Sequence, residues 1–316
     1  MTTAVLRRVL VTGATGFIGR RLHRLLLDHG VAVRALLRPG SSGATHLDPR
    51  CDVVAAALDD DQALADAAMG VDAVVYVAGA VRGRLPADFH AANVAGVAAV
   101  AAAVQRSSPA ALLLLLSSLA ASRPELSAYA ASKRQGERAL AASGLEAWSV
   151  LRPPAVYGPG DAELRGLFDL ARRGLALRPG PRGQRLALLH VDDVCRAVLA
   201  ALTHADACRG RTFEIDDGRP GGYDWDAIGQ AVAGRRVRQV GVPAWLLGAL
   251  ARANLAVSAV TGRAPMLTPG KVRELRQSRW LCDNRAFTLA TGWAPQIDLA
   301  SGAARLFQPP TENDTT

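Results

Sequence analysis

Arg7-Arg8-Val9-Leu10-Val11-Thr12-Gly13-Ala14-Thr15-Gly16-Phe17-Ile18-Gly19 sets a short apolar run directly before three glycines. The apolar run reads as a strand, and Gly16 to Gly30 reads as the helix that follows it. Gly13 permits a tight turn, Gly16 lets the backbone approach a pyrophosphate, and Gly19 lets the helix pack closely on the strand. The free N–H groups around Thr15, Gly16, Phe17 and Ile18 and the positive end of the helix dipole suit phosphate. Strand before and helix after distinguish this segment from a plain glycine-rich turn and point to a dinucleotide site.

Moving outward, the first half of the chain alternates short apolar runs with helical stretches. VAVRALL (31–37), CDVVAAA (51–57), DAVVYVAG (72–79), ALLLLLSS (111–118) and EAWSVLRP (146–153) read as strands, with helical sequence between them. Fully apolar strands separated by helices imply a parallel sheet covered on both faces. The expected fold is α/β, a doubly wound parallel sheet (Rossmann fold) with a smaller, partly interleaved C-terminal substrate lobe. Residues 1–155 make the NAD(P)-binding domain, with 186–215 returning to it. Residues 156–185 and 216–310 form the lobe, and 311–316 a tail.

Cofactor choice is written at the end of the second strand. An Asp or Glu there would bind the ribose hydroxyls of NAD, but this chain has Leu37 and then Arg38. A guanidinium pairs bidentately with a 2′-phosphate that a carboxylate would repel, so NADP(H) is favoured over NAD(H). Ser41 and Ser42 can add hydroxyl donors.

Tyr129-Ala-Ala-Ser-Lys133 sits in a helical segment, which puts the phenol and the ammonium one turn apart on one face. A phenol with its ordinary pKa of about 10 is a poor base at neutral pH. A nearby ammonium and an oxidised nicotinamide are expected to lower it, leaving a group that exchanges a proton with a carbonyl or an alcohol. The chain uses Lys only at 133 and 271, among 37 basic residues. A merely solvating cation at 133 would be expected to be Arg. Ser117 and Ser118, at the end of the apolar strand, offer hydroxyls beside the tyrosine.

These motifs, with LRPPAVYGPGD (151–161) and LHVDDV (189–194), occur in the order found in extended short-chain dehydrogenases/reductases. The chain resembles that superfamily's NAD-dependent epimerase/dehydratase family, including its 3β-hydroxysteroid dehydrogenase-like and flavonol-reductase-like branches. The resemblance covers about residues 8–200 and extends only loosely into the lobe. It implies that Ser118 orients the substrate oxygen, Tyr129 is the acid/base, and Lys133 tunes Tyr129 and holds the nicotinamide ribose. It further implies that Asn93 supports a proton-relay water, that Ala78 and Gly79 lie beside the adenosine ribose, and that Pro153 and Val156 pack near the nicotinamide. Two departures stand out. Ala57-Leu58 replaces the Asp-Leu pair whose Asp touches adenine, leaving that contact to the backbone around Leu58. The interval from Ser118 to Tyr129 is also short, so the substrate mouth should differ from that of sugar-nucleotide enzymes.

The leading function is therefore transfer of hydride between NADP(H) and a carbonyl/secondary alcohol pair on a small to medium, partly hydrophobic substrate. One alternative is a sugar-nucleotide epimerase-type isomerase, and another is a non-catalytic NAD(P)-binding sensor or scaffold. Dehydration is disfavoured because Leu119 and Ala120, not an acid, follow Ser118.

Composition narrows the partners. The net charge of +9 would suit nucleic acid, but the arginines are dispersed and aromatic residues make up 5% of the chain. No nucleic-acid partner is expected, since no basic run interleaves with stacking residues. Four scattered cysteines suit a reducing cytoplasm, without a zinc site. No signal-peptide pattern precedes the first strand, so a cytoplasmic enzyme is expected. VPAWLLGALARANLAVSAVTG (242–262) has nearly the length of a membrane span but reads as a buried or substrate-lining helix, with peripheral membrane contact as the minor reading. Trp225, Trp245, Trp280 and Trp293 are expected mostly in the core of the lobe. The resemblance suggests a homodimer.

Overall fold

The computed structural model describes residues 6–307; the tail expected at 311–316 lies outside the described residues. Seven parallel strands make the central sheet: β1 (Arg8–Thr12), β2 (Ala32–Leu37), β3 (Asp52–Ala55), β4 (Ala73–Tyr76), β5 (Leu112–Leu116), β6 (Trp148–Arg152) and β7 (Arg211–Glu214). Their spatial order is β7-β6-β5-β4-β1-β2-β3. The chain runs outward from β1 through β2 to β3, then restarts on the other side at β4. Thr12 consequently sits between Leu36 and Tyr76 in register, at the point where the winding reverses. A doubly wound sheet binds its ligand at that reversal, beyond the carboxyl ends of the strands.

The leucine run of β5 shows why these strands carry no polar face. Leu112, Leu114 and Leu116 join the core on one side with Val9, Val11 and the helices α1 (Phe17–Asp28) and α6 (Val191–Thr203). Leu113 and Leu115 join the opposite core with Leu10, α2 (Asp61–Ala68) and α3 (Pro86–Ser107). Successive side chains alternate between faces, and both faces are covered, so every position is apolar. α3 contains one wide π turn, Ala91–Ala95, which no periodicity in this alanine-rich stretch foretells.

α4 (Ala128–Ala141) follows β5. The remaining elements include α5 (Arg165–Arg172), α7 (Trp225–Ala233), α8 (Ala244–Thr261) and α9 (Pro269–Arg276), which stand beyond the carboxyl end of the sheet. Tyr157, Phe168, Leu188, Trp225 and Ile228 pack there as a separate core.

Two expectations for the C-terminal half are corrected. α8 is neither buried nor cleft-lining: only Leu247, Ala251 and Ser258 are buried, packing with Val272 of α9 along one narrow stripe. The tryptophans also divide. Trp225 joins the lobe core, Trp293 packs with Phe287 on the sheet core, and Trp245 projects outward. Hydropathy alone does not distinguish a helix enclosed on all sides from one packed along a single stripe.

Candidate active site

The glycine turn is built by close approach. Gly13 has φ +67°, and a Cβ on it would lie 2.7 Å from the Ala78 nitrogen at the end of β4. A Cβ on Gly19 would lie 2.1 Å from the Gly13 carbonyl oxygen, so helix and turn meet with no room for a side chain. Thr12 accepts hydrogen bonds from the Val77 and Ala78 nitrogens, both at 3.2 Å, and locks the ends of β1 and β4 together. Gly16 caps α1 without a side chain, and no acidic residue stands in the helix's first turn. The donors of that turn thus face the cleft without an anionic competitor, a cradle that fits pyrophosphate.

A cleft of about 1260 Å³ runs from this cradle into the lobe. Its sheet end is lined by Gly13, Thr15, Gly16, Phe17, Ile18, Arg38, Ser41, Leu58, Ala78 and Gly79. Arg38 is exposed at the rim and has no ion pair among the described residues. Ser118, Tyr129, Pro153 and Val156 line the middle of the cleft.

Local capping positions Ser118 and Tyr129. Ser118 caps the short turn Leu119–Ser122, accepting from the Ala120 nitrogen at 3.2 Å. Ser127 caps α4 by accepting from the Ala130 nitrogen at 2.9 Å, which fixes Tyr129 in the first turn. The ring of Tyr129 stands edge-on to Phe89, with centroids 6.2 Å apart. Burial pushes the phenol up to about 12; a hydrogen bond from Ser118 pulls it down, while Glu274 and Glu163 add a smaller upward push. The expected lowering of Tyr129 by Lys133 is not found: loss of solvent is the largest influence on the phenol, and Lys133 is not among the groups that shift it here. Lys133 itself is buried and driven down to about 8, with Glu137 opposing the shift.

Lys133 and Asn93 are placed behind the cleft wall. The Lys133 Nζ donates to the Leu116 carbonyl at 3.2 Å. A Cβ on Gly79 would lie 3.3 Å from that Nζ and 3.0 Å from the Asn93 Oδ1, so Gly79 leaves open the space beside both. Asn93 lies in the π turn. Its Oδ1 accepts from the Ala80 nitrogen at 3.0 Å, and its Nδ2 donates to the Ala80 carbonyl and to the Ser132 hydroxyl, each at 2.9 Å. The side chain thus clamps the loop after β4 to α4.

The lobe end is apolar, with Leu167, Phe168, Leu186, Trp225, Ile228, Met266 and Trp280 among its lining residues. Lys271 and Glu274 also line it and pair with each other at 3.1 Å.

The model of the NAD dependent epimerase/dehydratase family matches residues 9–216. The chain belongs to this family. It is 37% identical to a ceramide reductase of Caulobacter vibrioides (strain NA1000 / CB15N), over 86% of this chain and 85% of that one. It is 28% identical to a 2-alkyl-3-oxoalkanoate reductase of Stenotrophomonas maltophilia (strain K279a), over 95% and 98% of the two chains. Among solved structures, a putative epimerase from Burkholderia cenocepacia J2315 matches with a TM-score of 0.70 at 22% identity, covering 95% of this chain and 96% of that one. The protein is an extended short-chain dehydrogenase/reductase, an NAD(P)-dependent oxidoreductase with the Rossmann-like α/β fold.

Two groups around the site escaped the sequence reading. Glu137, one turn beyond Lys133, is buried; it accepts from Ser117 at 2.6 Å and from the Arg152 guanidinium at 2.8 and 2.6 Å. It ties α4 to the ends of β5 and β6 directly behind the lysine. Glu274, from α9, accepts a short hydrogen bond from Ser127, while Arg273 donates to the Leu126 carbonyl at 2.8 Å. An acid four residues after Lys133 is a local signal that could have revealed the first. Nothing local announces the second, whose partner lies 147 residues away.

Proposed function

We propose that this oxidoreductase is an NADP(H)-dependent ketone reductase whose substrate carries its carbonyl on a long-chain amphiphile. What supports this most is the position of Ser118 and Tyr129 where a phosphate-binding cradle meets an apolar lobe in one continuous cleft. The cradle holds the dinucleotide, and the lobe takes a chain. The relatives named for ceramide and for an alkyl-branched oxoalkanoate support a lipid-like ketone of that kind.

NADPH, when bound, supplies the hydride. The protein's residues do the rest. Thr15, Gly16, Phe17 and Ile18 present the helix terminus to the pyrophosphate, and Arg38 with Ser41 receives the 2′-phosphate. Leu58, Ala78 and Gly79 flank the adenosine, and Pro153 and Val156 pack the nicotinamide side. Ser118 donates to the carbonyl oxygen and orients it, while Tyr129 gives that oxygen its proton as the carbon is reduced, leaving a secondary alcohol. A phenol held well above neutrality keeps its proton until the oxygen becomes basic, which favours reduction. Lys133 grips the ribose and compensates the tyrosinate that forms. Asn93 positions the loop at Gly79 and Ala80, and the π turn in which it lies gives a proton-relay water a place to bind.

A sugar nucleotide fits the lobe less well. Its diphosphate needs cations, and the one cationic lining residue at that end among the described residues, Lys271, is already paired with Glu274. The test compares NADPH and NADH consumption with long-chain β-oxo lipids, short ketones and UDP-sugars. Tyr129→Phe should lower ketone turnover by roughly 10²–10⁴-fold with NADPH binding retained. Undiminished turnover in that variant, or interconversion of UDP-sugars with no ketone reduced, would sink this reading.

A further inference from the structure

A helix that is apolar around its whole circumference belongs in a protein core or in lipid. α8, Ala244–Thr261, has that composition, with Arg252 as its single charged residue, yet it meets the protein along one stripe. Its outward arc carries Trp245, 73% exposed, and Val260, 90% exposed, with Leu250 and Val257 on its flank at 50% and 58%. Among the described residues, the other helix of comparable length and hydropathy, α3, is packed into the sheet core.

The charge along the sequence around α8 is one-sided. From Ala227 to Thr268 the sequence contains no aspartate or glutamate, while Arg235, Arg236, Arg238, Arg252 and Arg263 are all cationic. The segment that follows α8 leads directly into the cleft, where Met266 and Leu267 line the wall. Met266 is itself exposed at this rim, as is Val81, another lining residue. Exposed apolar side chains thus stand both on the helix and at the mouth of the cleft.

We propose that α8 and its basic surroundings dock this enzyme on the surface of an anionic lipid bilayer, with α8 lying in the interface. Trp245 and Val260 enter the boundary between headgroups and acyl chains, where an indole can bury its ring and keep its N–H hydrated. The flanking arginines meet the lipid phosphates. A second copy of the chain would suit the apolar arc but not its surroundings, since a two-fold interface would set one all-basic segment against another. Docking at this face brings the apolar rim of the cleft toward the acyl region, giving a long-chain substrate a path that avoids bulk water.

The experiment uses the full chain and a Trp245→Glu/Val260→Glu double variant; both positions lie outside the cleft lining and on the surface, and circular dichroism checks the fold. Binding is read by co-sedimentation with vesicles of phosphatidylglycerol and phosphatidylcholine, and with phosphatidylcholine alone. The wild type should bind the anionic vesicles, release as salt is raised, and bind neutral vesicles far less; the double variant should bind the anionic vesicles roughly tenfold or more weakly. No binding by the wild type, equal binding to neutral vesicles, or an undiminished variant overturns the proposal. So does a solution dimer that the double variant dissolves in the absence of vesicle binding, which would assign the face to self-association. Reduction of a water-soluble short-chain ketone by both proteins reports on the proposed chemistry separately and should be unchanged by the variant.

Discussion

Tyr129 and Lys133 show how much of a site a sequence can carry and where it stops. Their residue types and one-turn spacing could be read from YAASK, but their proton affinities could not. Those depend on burial, which drives the phenol up to about 12 and the ammonium down to about 8. The pH dependence follows from the lysine. Lys133 is charged below about 8 and loses its charge above it, whereas Tyr129 keeps its proton throughout that range. The kcat/KM for ketone reduction should therefore hold at neutral pH and fall as pH rises through about 8, reporting the free enzyme. Glu137 holds the lysine up, so Glu137→Gln should move this limb to lower pH, in addition to destabilising the fold by leaving Arg152 short of a partner. A pH–rate profile of both proteins checks the direction, and a limb that moves upward contradicts it. At the rim, Arg38→Glu should place a carboxylate against the 2′-phosphate. We expect the NADPH:NADH preference in kcat/KM to fall by roughly 10–100-fold, the worth of a charge-assisted contact.

Among elements, the strands and the glycine turn were legible because each obeys a local rule. Apolar runs buried on both faces read as parallel strands, and three spaced glycines read as the turn. The π turn of α3 was not legible, since Ala91-Ala-Asn-Val-Ala95 has no periodicity to disturb. It lies against another element. A Cβ on Gly136 of α4 would come within 2.0 Å of the Asn93 carbonyl oxygen, so α3 and α4 cross at backbone contact there. That crossing places Ser132 against Asn93 and Lys133 beside Gly79. Gly136→Ala improves helix propensity by about 1 kcal/mol but must push the helices apart. Overpacking outweighs propensity here, and a net loss of about 1–3 kcal/mol is expected in denaturant unfolding. Activity should fall further than stability, because the displaced element carries Tyr129 and Lys133. A variant that is both more stable and fully active would show that the contact is relieved without moving α4.

At the scale of the whole molecule, the lobe and the sheet meet at the proposed reacting centre. Ser127 caps the helix that carries Tyr129 and also donates to Glu274, while Gly270 lets α9 approach so closely that a Cβ there would lie 2.9 Å from the Ser127 Cβ. On the other side of the lobe, Asp193 of α6 accepts from the Gln296 and Ile297 nitrogens at 2.9 Å each. These long-range ties hold the apolar lobe at a fixed position against the Tyr129 hydroxyl, and none of them has a local signature in the sequence. On the proposed function, a substrate with its carbonyl at Tyr129 is expected to lay its chain along Phe168, Trp225, Ile228 and Trp280, which line the cleft. Each methylene that enters such surface contributes about 0.8 kcal/mol, or roughly a fourfold gain in affinity. Because the chain lies away from the reacting carbon, it binds equally in ground and transition states, so the gain belongs in KM and leaves kcat nearly constant. In a series of β-oxo substrates of increasing chain length, kept below their aggregation limits, KM should fall stepwise and then level off once the lobe is filled. Trp225→Ala should flatten that dependence while leaving the shortest substrate little affected. Invariance of KM with chain length would mean that the apolar lining is core packing and that the substrate chain runs elsewhere.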